Sequence, residues 1–527
     1  MAATMPRRPC PPAAERGPFD PAMMRGLANA ASGNSALRRR LVMATTMLAA
    51  SMYSLDLTVV SVALPHMQGT FSATPDQIAW VVTAFIVGAT VTITLVGWLT
   101  GVMGRRRLFI FSIGAFLVIT ILCANAHTLE EEVLWRFLLG LNGAMIIPLS
   151  QVIAVDAYPR AKYGHALMLW SVGSVAGSII APPLAGYVIE AYGWPAVFYM
   201  NVPLAVLGLI GALAVVPSES TERPRRLDAF GLITLIVGLG AIQLLFNRGA
   251  RLDWFGSTEI VVECIVAVLC LYLFLAHSAT AKNPFLKPEP FRDRNYVIGL
   301  LGAFIYGMLW ALPTVMLPLL LQNFRGLPVE MIGLLLTPRQ LGYLTGSVLT
   351  GVLMRHADPR LVATSGFGLI ALSAFEMSLW STDVTLWSVA FVAVTQGVGC
   401  ALAFIPFNTL AFATVATEDR PQAVPLFYLL VNLGSSIGIA STVTYWTDHT
   451  QSTRARLIEF VSPYNPLIHT MPDLWDVGRA SGISAMHAEI LRQAGMIGYN
   501  QTFAVIMVAA LCAAPIALLF RRVRIRP

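Results

Sequence analysis

Asp56 is a carboxylate in the midst of an apolar run over roughly residues 41–64, within the stretch LDLTVVSVALP at 55–65. A charge at the centre of a membrane helix costs roughly 2.5–3.5 kcal/mol on insertion scales, so a carboxylate there calls for a partner or a purpose. Two readings stand: a group that handles protons or faces substrate, and a structural ion pair that fixes helix packing. Arg136 is the partner that the spacing offers. It falls four or five residues into another apolar run, 132–155. Asp56 lies about 15 residues along its own run, or roughly 23 Å at 1.5 Å per residue. With the first run ascending and the fourth descending, both groups lie in the outer half of the bilayer. They can pair if the two helices are neighbours, and two unpaired charges would be much more costly. A carboxylate so placed can take a proton when its cavity changes wetting, which is a workable coupling device.

Other residues could form a gate and a cavity. Residues 97–109 read GWLTGVMGRRRLF. Gly97, Gly101 and Gly104 allow a tight inner turn, and Arg105, Arg106 and Arg107 anchor it at the headgroups. Asp156 lies at the inner end of the fourth run, in the same layer, where an arginine contact could latch that side shut; plain topology explains the arginines equally well. Gly173, Gly177, Ala181 and Ala185 recur every four residues and form one small-residue face that admits a close neighbour. Pro182 and Pro183 in that run should break or bend it. Polar candidates for a cavity are Thr58, Asn142, Gln151, Gln340, Gln396, Asn408 and Asn432, with Arg339 deeper in its run. Tyr306, Trp310 and Phe404 are candidates for aromatic walls. Packing or a lipid-facing role is the alternative for each.

The elements that must position these residues are membrane helices. The chain has 527 residues with only 12% charged, against about 25% in soluble domains. Apolar runs of eighteen or more residues recur throughout, and fourteen spans result: roughly 41–64, 77–101, 107–126, 132–155, 165–189, 198–217, 229–247, 258–278, 296–321, 331–354, 360–380, 385–408, 424–446 and 500–520. With a cytoplasmic N-terminus, 26 of the 35 Lys and Arg fall in inner segments, so the +7 net charge follows the positive-inside rule and excludes a nucleic-acid footprint. Both termini are then cytoplasmic. The six cysteines show no ligand or framework spacing, and no P-loop, G-x-S-x-G or H-E-x-x-H appears. No cofactor and no metal is expected.

An internal repeat is visible. LTGVM at 99–103 returns as LTGVL at 349–353, LW at 134–135 returns at 386–387, and GSVAG at 173–177 returns as GSSIG at 434–438. The near-constant offset makes spans 1–6 a repeat of spans 9–14, an architecture that places a substrate site near the midplane between the halves. The expected layout is a disordered cytoplasmic N-terminus over 1–40, a six-helix bundle over 41–217, two inserted helices over 218–295, a second six-helix bundle over 296–520 and a basic tail over 521–527. An outer loop over 447–499 holds short helices near 451–461 and 483–497; a loop this long in a compact bundle is usually functional.

Together these residues resemble the major facilitator superfamily, and within it the 14-span drug:proton antiporters of the EmrB type. The stretch around Asp56 resembles the family's span-1 signature D-x-T-I-V-N-V-A-L-P, with Ser61 in place of Asn. GWLTGVMGRRR resembles the span 2–3 loop motif, with Gly101 where many members have Asp. The run from Trp135 to Gly140 resembles the span-4 motif, whose arginine is Arg136, with Leu139 in place of Gln. Pro182, Pro183 and Gly186 lie in a stretch similar to the antiporter motif G-P-x-x-G-G, with Pro182 and Ala185 at two of its glycines. Further matches are Asn201-Val202-Pro203, the stretch 317–322, Leu336-Thr337-Pro338-Arg339 and the stretch 434–440. The resemblance implies an all-α major facilitator fold of two six-helix repeats plus two extra helices. It implies proton-coupled efflux of small amphipathic compounds across a bacterial inner membrane, driven by the proton gradient. It also implies a periplasmic membrane-fusion adaptor and an outer-membrane channel as partners, with 447–499 as the place for adaptor contact. Export or uptake of an endogenous metabolite or lipid, and a non-transporting membrane sensor, are the alternatives.

Overall fold

The computed structural model describes residues 21–159, 162–217, 228–249, 251–281, 284–286, 289–327, 329–416, 419–461 and 479–521, with the backbone course alone over 21–35. No strand occurs among them. The N-terminal half comprises α1 (Pro21–Thr70), α2 (Pro75–Met103), α3 (Arg105–Ala124), α4 (Leu129–Gly143), α5 (Ile146–Asp156), α6 (Tyr163–Tyr192), α7 (Ala196–Tyr199) and α8 (Asn201–Val215). Two helices follow, α9 (Ala229–Arg248) and α10 (Thr258–Thr280). The C-terminal half comprises α11 (Arg294–Arg325), α12 (Val329–His356), α13 (Pro359–Ser378), α14 (Leu386–Phe412), α15 (Arg420–Glu459) and α16 (Ala480–Ala513).

Local chemistry sets many of the boundaries. Thr74 and Gln77 form a reciprocal capping box at the start of α2. Thr128, Asp293 and Thr385 cap α4, α11 and α14 through their side-chain oxygens. Gly104 separates α2 from α3 at φ +79°, a value that L side chains rarely adopt, so the turn into the arginine run needs glycine there. Asp228 caps α9 through the Gly231 amide and also accepts from the Phe285 amide and from His277, tying α9 and α10 to the linker behind them.

Thirteen segments of the described residues are long and apolar enough to cross a membrane; α4 with α5 makes one, and α7 with α8 another. The fourteenth expected span is α12, 28 residues long. It falls outside that set because Thr337-Pro338-Arg339-Gln340 occupies its middle, the composition of a helix that faces protein rather than lipid. One apolar core fills the N-terminal half. A second fills the C-terminal half and crosses to Met43, Trp170 and Val175 on α1 and α6. The pair α9–α10 packs at the side of the bundle, where Leu232, Leu235 and Phe274 meet Ile93 of α2 and Leu429 of α15.

Three expectations need correction. Residues 447–459 are not a loop: α15 runs on to Glu459, and α16 begins at Ala480, so the two helices rise past the expected span ends as an antiparallel hairpin. Strong helix formers such as Gln451, Arg454, Leu457 and Glu459 propagate the turn. Trp446 Nε1 donates to the Gly495 carbonyl at 3.1 Å, and Arg454 meets His487 at 2.9 Å, which fasten the hairpin. Residues 462–478 lie outside the described residues. Second, α1 starts at Pro21, inside the stretch read as disordered; Ala, Leu, Met and Arg dominate it, and proline at a first helical position lacks only an N–H that has no partner anyway. Residues 1–20 lie outside the described residues. Third, Pro182 and Pro183 do not break α6, which is continuous over 30 residues. Neighbouring helices can hold a proline-containing span in line, and α1 lies along this one.

That packing depends on bare backbone. A Cβ on Gly173 would strike Met47, and one on Gly177 would strike the Ser51 carbonyl, both on α1. The carbonyl cannot move without moving α1. Gly177→Val should therefore lower stability by at least about 1–3 kcal/mol, the usual range for overpacking. The check is a lower thermal midpoint of the purified protein, with Gly101→Ala, where an added Cβ meets nothing within 4 Å, as the tolerant control.

Candidate functional site

The first cluster is built on a close crossing of α2 and α4. A Cβ on Gly88 would strike the Phe137 carbonyl, and one on Gly140 would strike the Phe85 carbonyl. With both positions bare, α4 lies on α2 and Arg136 sits over the Phe85 ring, 4.6 Å from its centroid. Tyr53 of α1 packs against Gly143, which brings α1 onto the same face of α4. Arg136 Nη1 then donates to Asp56 Oδ2 at 3.0 Å, with the two side chains 2% and 1% exposed. Glu132 stands one turn before Arg136 and is fully buried; both of its oxygens lack a hydrogen-bond partner. One guanidinium and two carboxyl groups thus share a deeply buried site, the kind of arrangement in which gain or loss of one proton changes the forces between helices.

The second cluster closes the arginine-rich end. Asp156, the last residue of α5, accepts from Arg105 Nη1 at 2.5 Å. Arg420, at the first turn of α15 in the other half, lies 3.5 Å from the second Asp156 oxygen and donates to the Tyr163 hydroxyl at 2.8 Å. One carboxylate therefore holds both halves. Arg106 instead donates to the Leu213 carbonyl of α8, and Arg107 is exposed. Gly97 lies beside Trp98, Phe285 and Pro425, near the inserted helices and the start of α15. Close beneath the latch, a Cβ on Gly164 of α6 would reach Met354 of α12, and one on Gly351 would strike Met168.

The third cluster lies where the halves meet. Gln151 of α5 donates to Asn408 Oδ1 of α14 at 3.0 Å and accepts from the Tyr428 hydroxyl of α15. Trp170 donates to Ser150 at 3.0 Å, and its ring meets that of Tyr428 edge-on. Phe404 lies between Tyr428 and Tyr306, and Tyr306 stacks on Trp310. Arg339 lies over Trp310 and donates to Gln396, Thr314 and the Trp310 carbonyl. The spread-out sequence candidates Gln151, Tyr306, Trp310, Arg339, Gln396, Phe404 and Asn408 thus form one connected wall.

Other candidates stand apart. Thr58 and Asn142 bond to carbonyls of their own helices. Gln340 keeps a buried oxygen without a partner, and Asn432 is half-buried one turn beyond Tyr428. In α6, Gly173 and Gly177 face α1, whereas Pro183 is exposed and a Cβ on Gly186 would meet nothing within 4 Å. The glycine-proline stretch is therefore a tight seam at one end and open at the other.

Two residues were not legible beforehand. Glu132 reads as one of three acidic residues in the first turn of α4, where negative charge suits a helix start, and only its position four residues before Arg136 marks it. Arg420 reads as one more basic residue at a span end; its partner is more than 250 positions away.

A model of the Major Facilitator Superfamily matches residues 46–439. The chain is 32% identical to the multidrug export protein EmrB of Escherichia coli K12 over 463 residues, covering 86% of this chain and 90% of that one. It is 30% identical to the fatty acid resistance protein FarB of Neisseria gonorrhoeae over 460 residues, covering 86% and 91%. Among solved structures, the human organic anion transporter MFSD10 (TETRAN) superimposes with a TM-score of 0.59 at 12% identity, covering 90% of this chain and 99% of that one, which shows a shared fold.

Truncating one member of a buried pair leaves a lone charge, so Asp56→Ala or Arg136→Ala alone should each cost about 3–5 kcal/mol, and the double variant less than their sum. Thermal unfolding of the four proteins checks the cycle. Asp156→Asn weakens both arms of the latch; a cysteine placed at Met354 should then react faster with a polar thiol reagent than in the otherwise wild-type chain.

Proposed function

The chain belongs to the Major Facilitator Superfamily, and on that premise we propose that it exports amphipathic drugs and other toxic compounds from a bacterial cytoplasm in exchange for protons. The observation that carries the reading is the buried Asp56–Arg136 bridge, which lies inside the stretch matched by the family model. Relatives named for multidrug export and fatty acid resistance support the cargo class. We read the excess of Lys and Arg at the Arg105 end as favouring a cytoplasmic placement of that end and of both termini, in the bacterial inner membrane.

In this orientation the Asp156 latch is a cytoplasmic gate, and its closed form belongs to the part of the cycle in which cargo has already been taken from the cytoplasm. Cargo then leaves toward the periplasm. A proton arriving from that side neutralises Asp56 and removes its attraction for Arg136. Freed of the bridge, α1 and α4 can shift, and α6, packed on α1, moves with them against α12. The gate at Asp156 opens and the carrier resets. The proton gradient is the energy source, and no bound cofactor enters. The protruding ends of α15 and α16 face the periplasm, where a membrane-fusion adaptor leading to an outer-membrane channel would dock.

Adding cargo to the purified wild-type protein in weak buffer should release protons, and Asp56→Asn should abolish the release and the gradient-driven flux in vesicles. Full release from Asp56→Asn would move the proton site elsewhere. No release and no flux from the wild type, across cationic, neutral and anionic amphiphiles, would end the antiporter reading.

A further inference from the structure

Among the described residues, Glu132 is the one carboxyl group whose two oxygens are both buried and without a hydrogen bond. Its side chain is 0% exposed. Arg136 follows one turn later on α4, and its Nε is likewise buried and unpartnered, while its Nη1 donates to Asp56 Oδ2 at 3.0 Å. A glutamate four residues before a cation is the order that favours pairing along a helix. Unmet acceptors and an unmet donor therefore stand one turn apart on one face of α4.

The charges around Glu132 do not balance if it is ionised. Arg136 of its own helix and Asp56 of α1 act on it electrostatically. Cys123 of α3 lies in the field of all three, and Tyr53 of α1 in that of Asp56 and Arg136. Arg136 is the one cation among these groups, and a guanidinium stays charged. It balances one carboxylate. A second ionised carboxylate, buried with no donor, is a charge that proteins avoid by protonation. The cluster is neutral when its two acids share one proton, and with Asp56 bridged to Arg136 that proton belongs on Glu132. Moving it to Asp56 breaks one O–H bond and forms another, and Arg136 exchanges an Asp56 oxygen for a Glu132 oxygen. Net charge does not change. What changes is the connection: a bridge between α1 and α4 becomes a contact within α4. Charge balance is kept but the tie between the helices is lost, so truncating Asp56 remains costly to the fold.

Glu132 also lies on the supply side. It is three residues, or about 4.5 Å, into α4, and four residues nearer the helix start than Arg136. Glu130 and Glu131 beside it are exposed. In the orientation proposed above this end of α4 faces the periplasm, so a proton from that side meets Glu132 before Asp56.

We propose that Glu132 is the proton donor to Asp56: it carries a proton while Asp56 is bridged to Arg136, passes that proton to Asp56, takes Arg136 as its own partner, and is reprotonated from the outer side. This deepens the exchange proposed above and rests on that reading for its place in transport, whereas the protonated Glu132 stands on the geometry of the cluster.

The test is infrared difference spectroscopy of the full chain in nanodiscs of neutral lipid at neutral pH. The wild type should show the carbonyl stretch of a protonated carboxylic acid that Glu132→Gln lacks. Glu132→Gln keeps the size and neutrality of the acid, and Glu132→Met, apolar and of similar length, is an independent second variant. Asp56→Asn stands for protonated Asp56, so Glu132 should be ionised in it and the band absent. Adding Arg136→Gln to Asp56→Asn should bring the band back, since no cation then holds Glu132 ionised. A spectrum that neither Glu132 variant changes overturns the proposal, and so does a band that survives Asp56→Asn. In vesicles, Glu132→Gln should slow gradient-driven flux at least about tenfold, the least expected for loss of a positioned proton donor. Full flux from Glu132→Gln overturns the donor role. Wild-type flux without the acid band leaves an exporter and removes this donor. The band and its exchange without wild-type flux leave the buried acid and remove the exporter.

Discussion

A charge inside a bilayer must find its opposite or a reason to go without, and the packing of the N-terminal half follows from how that demand is met at Arg136. The bridge to Asp56 is buried because three helices come close around it. α4 reaches α2 over Gly88 and Gly140, and α1 reaches α4 over Gly143. α1 in turn is held against α6 over Gly173 and Gly177. Small residues supply the approach, and the ion pair makes use of it. In lipid there is little hydrophobic drive between helices, so backbone proximity of this kind is what association rests on. Two features that look separate in the sequence, a glycine-rich face in one span and a carboxylate in another, are one device.

The halves are joined by different chemistry at different depths. At the arginine-rich end a single carboxylate, Asp156, bridges Arg105 of its own half and Arg420 of the other. At mid-depth the join is neutral: Gln151, Asn408 and Tyr428 share hydrogen bonds across α5, α14 and α15. Neutral bonds of this kind can be exchanged for bonds to water or cargo at modest net cost, typically about 0.5–1.5 kcal/mol each. A partly exposed ion pair is likewise weakened by water and salt. Apolar contacts also cross the seam at Met43, Trp170 and Val175, but its polar joins are exchangeable, so the seam is the place where the structure can open without unfolding.

Much of this was legible in the sequence because a bilayer imposes length and apolarity on every helix it contains. The spans, the repeat and the two inserted helices could be read from apolar runs and spacing. Asp56, Arg136 and Asp156 were conspicuous because charge is rare in such runs. What escaped was of two kinds. Arg420 meets Asp156 and Tyr163 through the folding of distant segments onto one another, which spacing along one helix cannot encode. Glu132 went unread and the 447–499 region was misjudged because polarity marks the edge of a membrane span and says nothing about whether the helix itself ends there. Glu132 is drawn inward by its place on the Arg136 face, and α15 continues for want of anything to stop it. The exposure of Pro183 and the open space beside Gly186 likewise depend on where α1 lies, which the motif does not state.

α15 is a single helix of 40 residues, about 60 Å of unbroken rod. Arg420 stands at one end, Tyr428 a short way along, and the exposed hairpin at the other. α16 is fastened to α15 through Trp446 and Gly495. If the Asp156 contact is the gate of the proposed cycle, a rigid rod of this length carries any tilt at Arg420 to the outer ends of α15 and α16 together. A molecule gripping those outer ends would then act on the Asp156 contact from about 60 Å away.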